Sequence, residues 1–96
     1  MKGLLLTSDK HTKLMPGDRI VFTPQGDGLE IVDYYRGGEK LYLVPPYLRL
    51  IGGDNEFPRR LMHVERTKIA KNIAAATGMK LRVVERGERR TIFQFI

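Results

Sequence analysis

The residues with the clearest chemical potential are arginines near the C-terminal end of the chain. Arg82, Arg86, Arg89 and Arg90 fall within nine consecutive positions. A guanidinium group neutralises phosphate charge and can form two parallel hydrogen bonds with the edge of a guanine. A second set of cations precedes them in the sequence: Arg59, Arg60, Lys68 and Lys71. These eight side chains are the candidate contacts with a nucleic acid.

The distribution of charge along the chain supports this choice. The protein has a net charge of +6. Residues 58–96 carry ten Lys and Arg against three Asp and Glu, a balance of +7, whereas residues 1–57 carry seven against eight, a balance of −1. Such clustering is typical of a surface that meets a polyanion. We expect a nucleic acid as partner, DNA in preference to RNA, and the alternative is a module or inhibitor that docks on an acidic partner protein.

Catalytic and metal-binding patterns are weak by comparison. The chain has no cysteine, and neither His11 nor His63 has a second ligand at metal-binding spacing. Ser8 is the sole serine, and Gly26-Asp27-Gly28 has the character of a turn rather than of a phosphate-binding loop. We therefore expect no catalytic residue, no metal and no cofactor. A small enzyme assembled from scattered carboxylates is the third hypothesis.

A long helix is predicted to carry the first set of cations. Residues 58–77 begin with Pro58, which suits a first helical turn, and Gly78 follows as a natural stop. Arg66 interrupts the apolar stripe of this helix, either because its aliphatic stem covers the core edge or because it makes a specific polar contact. The apolar stripe consists of Met62, Ile69, Ile73 and Ala76. The opposite, basic side consists of Arg60, Lys68 and Lys71.

A hairpin is predicted to carry the arginines. Residues 80–86 and 89–96 flank Gly87-Glu88, which fits a two-residue turn. That register pairs Arg86 with Arg89 and Arg82 with Phe93. Alternation places Arg82, Arg86 and Arg89 on one face with Phe93 and Phe95, and it places Arg90 opposite Glu85 on the other face. Exposed phenylalanines could stack on bases. The alternative is their burial under the N-terminal meander, in a three-layer arrangement with the hairpin in the middle. A helix-turn-helix over residues 68–87 fits less well, because residues 81–87 alternate and are β-branched.

The N-terminal half is predicted to be an antiparallel meander that could close into a small barrel. Strands are expected at residues 1–7, 19–24, 29–36 and 40–44, separated by glycine-containing turns. Pro45-Pro46 interrupts this pattern, and residues 47–51 are expected to pair again. A cluster of tyrosines belongs to the core or forms a surface for a protein partner or homodimer: Tyr34, Tyr35, Tyr42 and Tyr47.

Together these elements predict one α+β domain over residues 1–96, with a β-rich part at 1–57 and a basic helix and hairpin at 58–96. No run approaches the roughly 18 apolar residues that cross a bilayer, so we expect a cytoplasmic protein without membrane contact. The size and charge suit the small accessory proteins of bacteria and phages. The predicted function is nucleic-acid binding without catalysis.

Overall fold

The computed structural model describes residues 12–96, and its six strands and two helices confirm the α+β class. The predicted strand at residues 1–7 and His11 lie outside the described residues. The elements, in chain order, are β1 (Arg19–Pro24), β2 (Glu30–Arg36), β3 (Glu39–Leu41), α1 (Pro45–Leu50), β4 (Glu56–Phe57), α2 (His63–Ala76), β5 (Leu81–Arg86) and β6 (Thr91–Phe95).

All the described strands belong to one antiparallel sheet. Its order is β3-β2-β1-β6-β5, and the short β4 pairs with β2 next to the end of β3. The meander β1-β2-β3 forms as predicted, and the C-terminal hairpin joins it edge to edge through β6 and β1. Within residues 12–96 the sheet is open, with β3 and β5 at its two ends, and not closed into a barrel.

The first hairpin follows directly from its sequence. Residues of β1 and β2 are mostly β-branched or aromatic, and such residues fit a pleated surface. Between the strands, the Gln25 N–H donates to the Leu29 carbonyl at 2.7 Å and the Gly28 N–H donates to the Gln25 carbonyl at 3.1 Å. Gly28 has a φ of 93°, which residues with a Cβ rarely adopt. The observed bounds of these two strands differ from the predicted ones by one residue at most, whereas β3 ends at Leu41 and not at residue 44 as predicted.

The core lies on one side of the sheet, called here the inner face, against both helices. Phe93 and Phe95 are fully buried there, so the expected burial is correct. Their predicted position under the meander is wrong, because the meander joins the hairpin edge to edge in the same sheet and the helices cover these rings. Phe93 packs edge-on against Phe22 with ring centroids 6.1 Å apart. The opposite, outer face carries half-buried side chains such as Tyr35. The inner-face residues of the sheet include Ile20, Phe22, Val32, Tyr34, Phe93 and Phe95.

The segment after β3 differs from the prediction. Residues 47–51 do not return as a strand, because Pro45–Leu50 forms helix α1. Proline at the first helical positions costs no hydrogen bond, since those N–H groups have no partner within the helix. The two prolines therefore start a helix where they were expected to interrupt the sheet. Leu48 and Ile51 bring this turn into the core.

Helix α2 is shorter than predicted, because it begins at His63 and not at Pro58. The Glu65 carboxylate accepts a hydrogen bond from the Met62 N–H at 2.9 Å, which satisfies a donor just before the first turn. Gly78, with a φ of 72°, follows its C-terminal end as predicted. Neither described helix is long and apolar enough to cross a membrane.

Candidate nucleic-acid interface

The register of the C-terminal hairpin decides where its arginines lie. Arg86 pairs with Thr91 and Arg82 pairs with Gln94. The predicted pair Arg86–Arg89 is wrong, because the connection contains four residues, 87–90, and not two. The predicted pair Arg82–Phe93 is wrong by one position only, because a bulge at Val84 offsets part of this shift. Two positions added to a loop shift every facing pair along the ladder.

A β-bulge at Val84 also separates the arginines. Val84 stands as an extra residue between the pairs that precede and follow it in β5. A bulge of this kind interrupts the alternation of side chains. Arg82 consequently lies on the outer face, where it hydrogen-bonds Gln94, whereas Arg86 lies on the side of Thr91, which is the inner face. The predicted single arginine face does not form.

A buried ion pair holds the hairpin tip against α2. The Arg66 Nε donates to the Glu30 Oε2 at 2.6 Å and its Nη2 donates to the Glu30 Oε1 at 2.9 Å. The exposed fractions of these two side chains are 3% and 0%. The Arg66 Nη1 donates to the Thr91 Oγ1 at 2.9 Å and to the Gly87 carbonyl at 3.2 Å. Arg66 therefore makes a specific polar contact, and the alternative in which its stem covers the core edge is wrong.

This network brings two of the candidate cations together. Arg60, from the segment before α2, and Arg86, from β5, line one groove of about 490 Å³ with Met62, His63 and residues 87–88. The Arg60 Nη2 donates to the carbonyl of Glu88 at 3.3 Å and lies 4.0 Å from the carboxylate of the same residue. Residues 26 positions apart in the chain thus face a common opening.

A second groove lies along α2, next to the first. It shares His63 with the first, and its lining includes Lys68 and Lys71. The two grooves together are called the α2 groove. Its cations, all exposed, are half of the eight candidates: Arg60, Lys68, Lys71 and Arg86.

Two of the remaining candidates are neutralised by neighbouring carboxylates. Arg59 forms an ion pair with Glu65, with its Nη1 3.0 Å from Oε1, and Arg90 forms one with Glu85 at 2.9 Å. The hydrogen bond from Arg59 lowers the pKa of Glu65 to about 2, and that from Arg90 lowers the pKa of Glu85. These exposed pairs add little stability, but they remove two positive charges from the local field. Arg89 is exposed at the hairpin tip, and no ion pair involves it within residues 12–96.

His63 lies half-buried at the junction of the two grooves. Its ring stacks on Phe93 with centroids 6.5 Å apart, and its Nε2 lies 3.3 Å from the Thr67 Oγ1. Burial lowers the pKa of His63, and the positive charges of Arg86 and Arg66 lower it further. The imidazole is therefore neutral at pH 7, and the positive charge of the groove comes from lysine and arginine. The sequence predicts for His63 only that it has no second ligand at metal-binding spacing, and nothing in its local sequence indicates this position.

The tyrosine cluster does not form a single surface. Tyr34 is buried in the core, which raises its pKa, whereas Tyr35 is half-buried on the outer face. Tyr47 accepts a hydrogen bond from the Leu14 N–H at 3.0 Å, and Tyr42 is 47% exposed. Tyr34 thus belongs to the core and Tyr47 packs against it, whereas Tyr35 and Tyr42 are not part of this core cluster.

No protein-family model, curated protein or solved structure matches this chain. Across the part of the chain that the structure describes, His, Cys, Asp and Glu side chains form no group of three that could hold a metal ion. The charge and the geometry of the α2 groove therefore carry the functional proposal.

Proposed function

We propose that this protein is a small nucleic-acid-binding accessory protein that contacts phosphates through the α2 groove and performs no catalysis. One observation carries the proposal. Four cations from three separate segments, namely the loop before α2, α2 itself and β5, line two neighbouring grooves that share His63. Phosphate neutralisation by such groups supplies most of the affinity of non-specific nucleic-acid binding.

The cations of the groove are largely free to act on a ligand. Arg86, Lys68 and Lys71 form no ion pair with any other residue among positions 12–96, and Arg60 meets only Glu88 at 4.0 Å. The Glu88 side chain is 92% exposed, so water screens that contact. An anion entering the groove would therefore replace water rather than an existing counter-charge.

The lining of the groove favours a duplex over a single strand. Single-stranded nucleic acids are commonly held by exposed aromatic rings on which bases stack. Phe93 and Phe95 are buried, and among the described residues the lining contains no Phe or Tyr. Phosphates of duplex DNA, rather than unpaired bases, are the ligand that this surface suits.

The test compares two arginines of the same strand. Arg86→Gln removes a charge from the groove, and Arg82→Gln removes an equal charge from the outer face, so the second variant is the matched control. Binding of a fluorescent duplex is followed by anisotropy at salt concentrations from about 50 to 200 mM, over which four phosphate contacts would weaken affinity roughly 100-fold. A single-stranded probe is measured in parallel.

We expect Arg86→Gln to weaken duplex binding about tenfold, the size of one hydrogen bond to a charged group, and to reduce the salt slope by about 1. Arg82→Gln should change the duplex affinity and the salt slope much less. Equal losses in the two variants would contradict the assignment to the groove. Absence of binding to either probe at low salt would refute nucleic-acid binding itself.

A further inference from the structure

Strand β5 ends the sheet, and no strand within residues 12–96 covers its outer side. Lys80 and Ile96 exchange both backbone hydrogen bonds, each at 2.9 Å. In an antiparallel ladder such pairs alternate with pairs whose backbone groups point away from each other. The N–H and C=O groups of Leu81 and Val83 therefore point away from β6, towards the free edge.

The neighbouring strand supports this direction. Phe95 pairs with Leu81, and its own backbone groups also point away from the pair. Its N–H donates to the Asp18 carbonyl at 2.9 Å, and its carbonyl accepts from the Gly17 N–H at 2.7 Å. Phe95 thus has partners on its far side, whereas Leu81 presents the equivalent groups at the edge.

The side chains along this edge are apolar or positively charged. Val83 and Val84 are 54% and 37% exposed. Lys80, Arg82 and Arg86 are exposed cations without an ion pair in residues 12–96. Glu85, the one acidic residue of β5, is already paired with Arg90. Among residues 12–96, the edge therefore combines backbone groups that no strand pairs with and an excess of positive charge.

We propose that the free edge of β5 binds an extended acidic peptide segment as an additional antiparallel or parallel strand. Backbone hydrogen bonds to Leu81 and Val83 supply the pairing, as in other cases of strand addition. Carboxylates on the added strand meet Lys80 and Arg82. The bulge at Val84 disrupts the ladder, so the added strand is short and covers residues 80–83.

A second copy of this chain fits the edge poorly. Antiparallel pairing about a two-fold axis centred on Arg82 places that residue directly opposite its own copy. Centring the axis on Leu81 sets Arg82 opposite Lys80. Like charges directly opposite one another destabilise a sheet, so both registers are disfavoured. An axis centred on Val83 runs into the bulge at Val84, which disrupts the ladder.

The test uses a fluorescent Glu-Val-Glu-Val-Glu peptide and hydrogen exchange measured by NMR on the whole protein. Binding should slow exchange of the Leu81 and Val83 amides at least tenfold, because both become hydrogen-bonded. A Lys-Val-Lys-Val-Lys peptide should not bind. Unchanged exchange at these two amides with saturating acidic peptide, or equal binding of the basic peptide, would overturn the proposal.

Two variants at one position complete the experiment. Val83→Pro removes the outward N–H without removing a bond to β6, and we expect at least a tenfold loss of peptide affinity. Val83→Thr keeps the N–H and the branched shape, and we expect unchanged affinity. Equal peptide binding by both variants would contradict the edge assignment. Duplex binding should be unaffected in both variants, which separates this edge from the α2 groove.

Protection of the Leu81 and Val83 amides without peptide, together with a dimer in sedimentation, would identify a second copy as the occupant and refute the acidic peptide.

Discussion

Replacing Glu30 with Gln tests the buried ion pair that fixes the hairpin tip. The substitution keeps the size of the side chain and one carbonyl acceptor but removes the negative charge. Arg66 is 3% exposed, so its guanidinium would lose its counter-charge without gaining water. The remaining acceptors around it, Thr91 Oγ1 and the Gly87 carbonyl, are neutral.

The expected cost follows from this environment. Removing one partner of a buried ion pair costs about 3–5 kcal/mol. Because Gln retains one acceptor for Arg66, we expect the lower end, about 3 kcal/mol. A domain of this size loses about 4–8 °C in Tm for each kcal/mol, so the midpoint should fall by roughly 12–24 °C.

Thermal and urea unfolding followed by circular dichroism provide the measurement. The single variants Glu30→Gln and Arg66→Met and their combination form a double-mutant cycle, in which the combined loss should fall short of the sum of the single losses by at least about 2 kcal/mol. A loss below about 1 kcal/mol for Glu30→Gln, or additive effects in the cycle, would refute the reasoning, since either result means that the pair is not buried as described.

Two further predictions concern other sites. The hydrogen bond from Arg59 holds the pKa of Glu65 at about 2, below the usual 4.5. The contribution of this ion pair to stability is therefore complete above pH 4.5 and is lost as the pH falls towards 2. A carboxyl ¹³C titration should show this midpoint, and Arg59→Gln should raise it; a midpoint near 4.5 in the unmodified protein would contradict the ion pair. At Gly53, an added Cβ would lie 3.1 Å from the Tyr34 Oη, so Gly53→Ala should cost about 1–3 kcal/mol in thermal unfolding. Gly26→Ala, with nothing within 4 Å of the new atom, is the control, and equal losses in the two variants would disprove the steric cause.

The local fold is predictable where neighbouring residues decide it. Alternation and the glycine turn define β1 and β2 almost to the residue. Pro45-Pro46 is compatible with both a broken strand and the first turn of a helix, and only the packing of Leu48 and Ile51 against the core selects the helix. The start of α2 was predicted too early because Pro58 has the right type for a helix start but lies five residues before it.

The site is less predictable, because its arrangement depends on contacts between distant segments. Arg66 interrupts the apolar stripe of α2, and Glu30 shares its strand face with the core residues Val32 and Tyr34. Both anomalies are visible in the sequence, but their partnership across 36 positions is a tertiary fact. The bulge at Val84 has no such signal, and it determines which arginines reach the groove.

The same bulge has a consequence for how the sequence can change in evolution. A strand ordinarily cannot lose one residue, because every side chain beyond the deletion then changes face. Val84 is the exception in β5: it has no partner of its own in the ladder, and the pairs on both sides can join into a regular register without it. Because Val83 and Val84 are adjacent and identical, deletion of either gives the same sequence, and Arg82 and Arg86 would stay on the faces they now occupy. Sequence alignments that treat β5 as gap-free would therefore misplace the arginines of relatives that have lost this one residue.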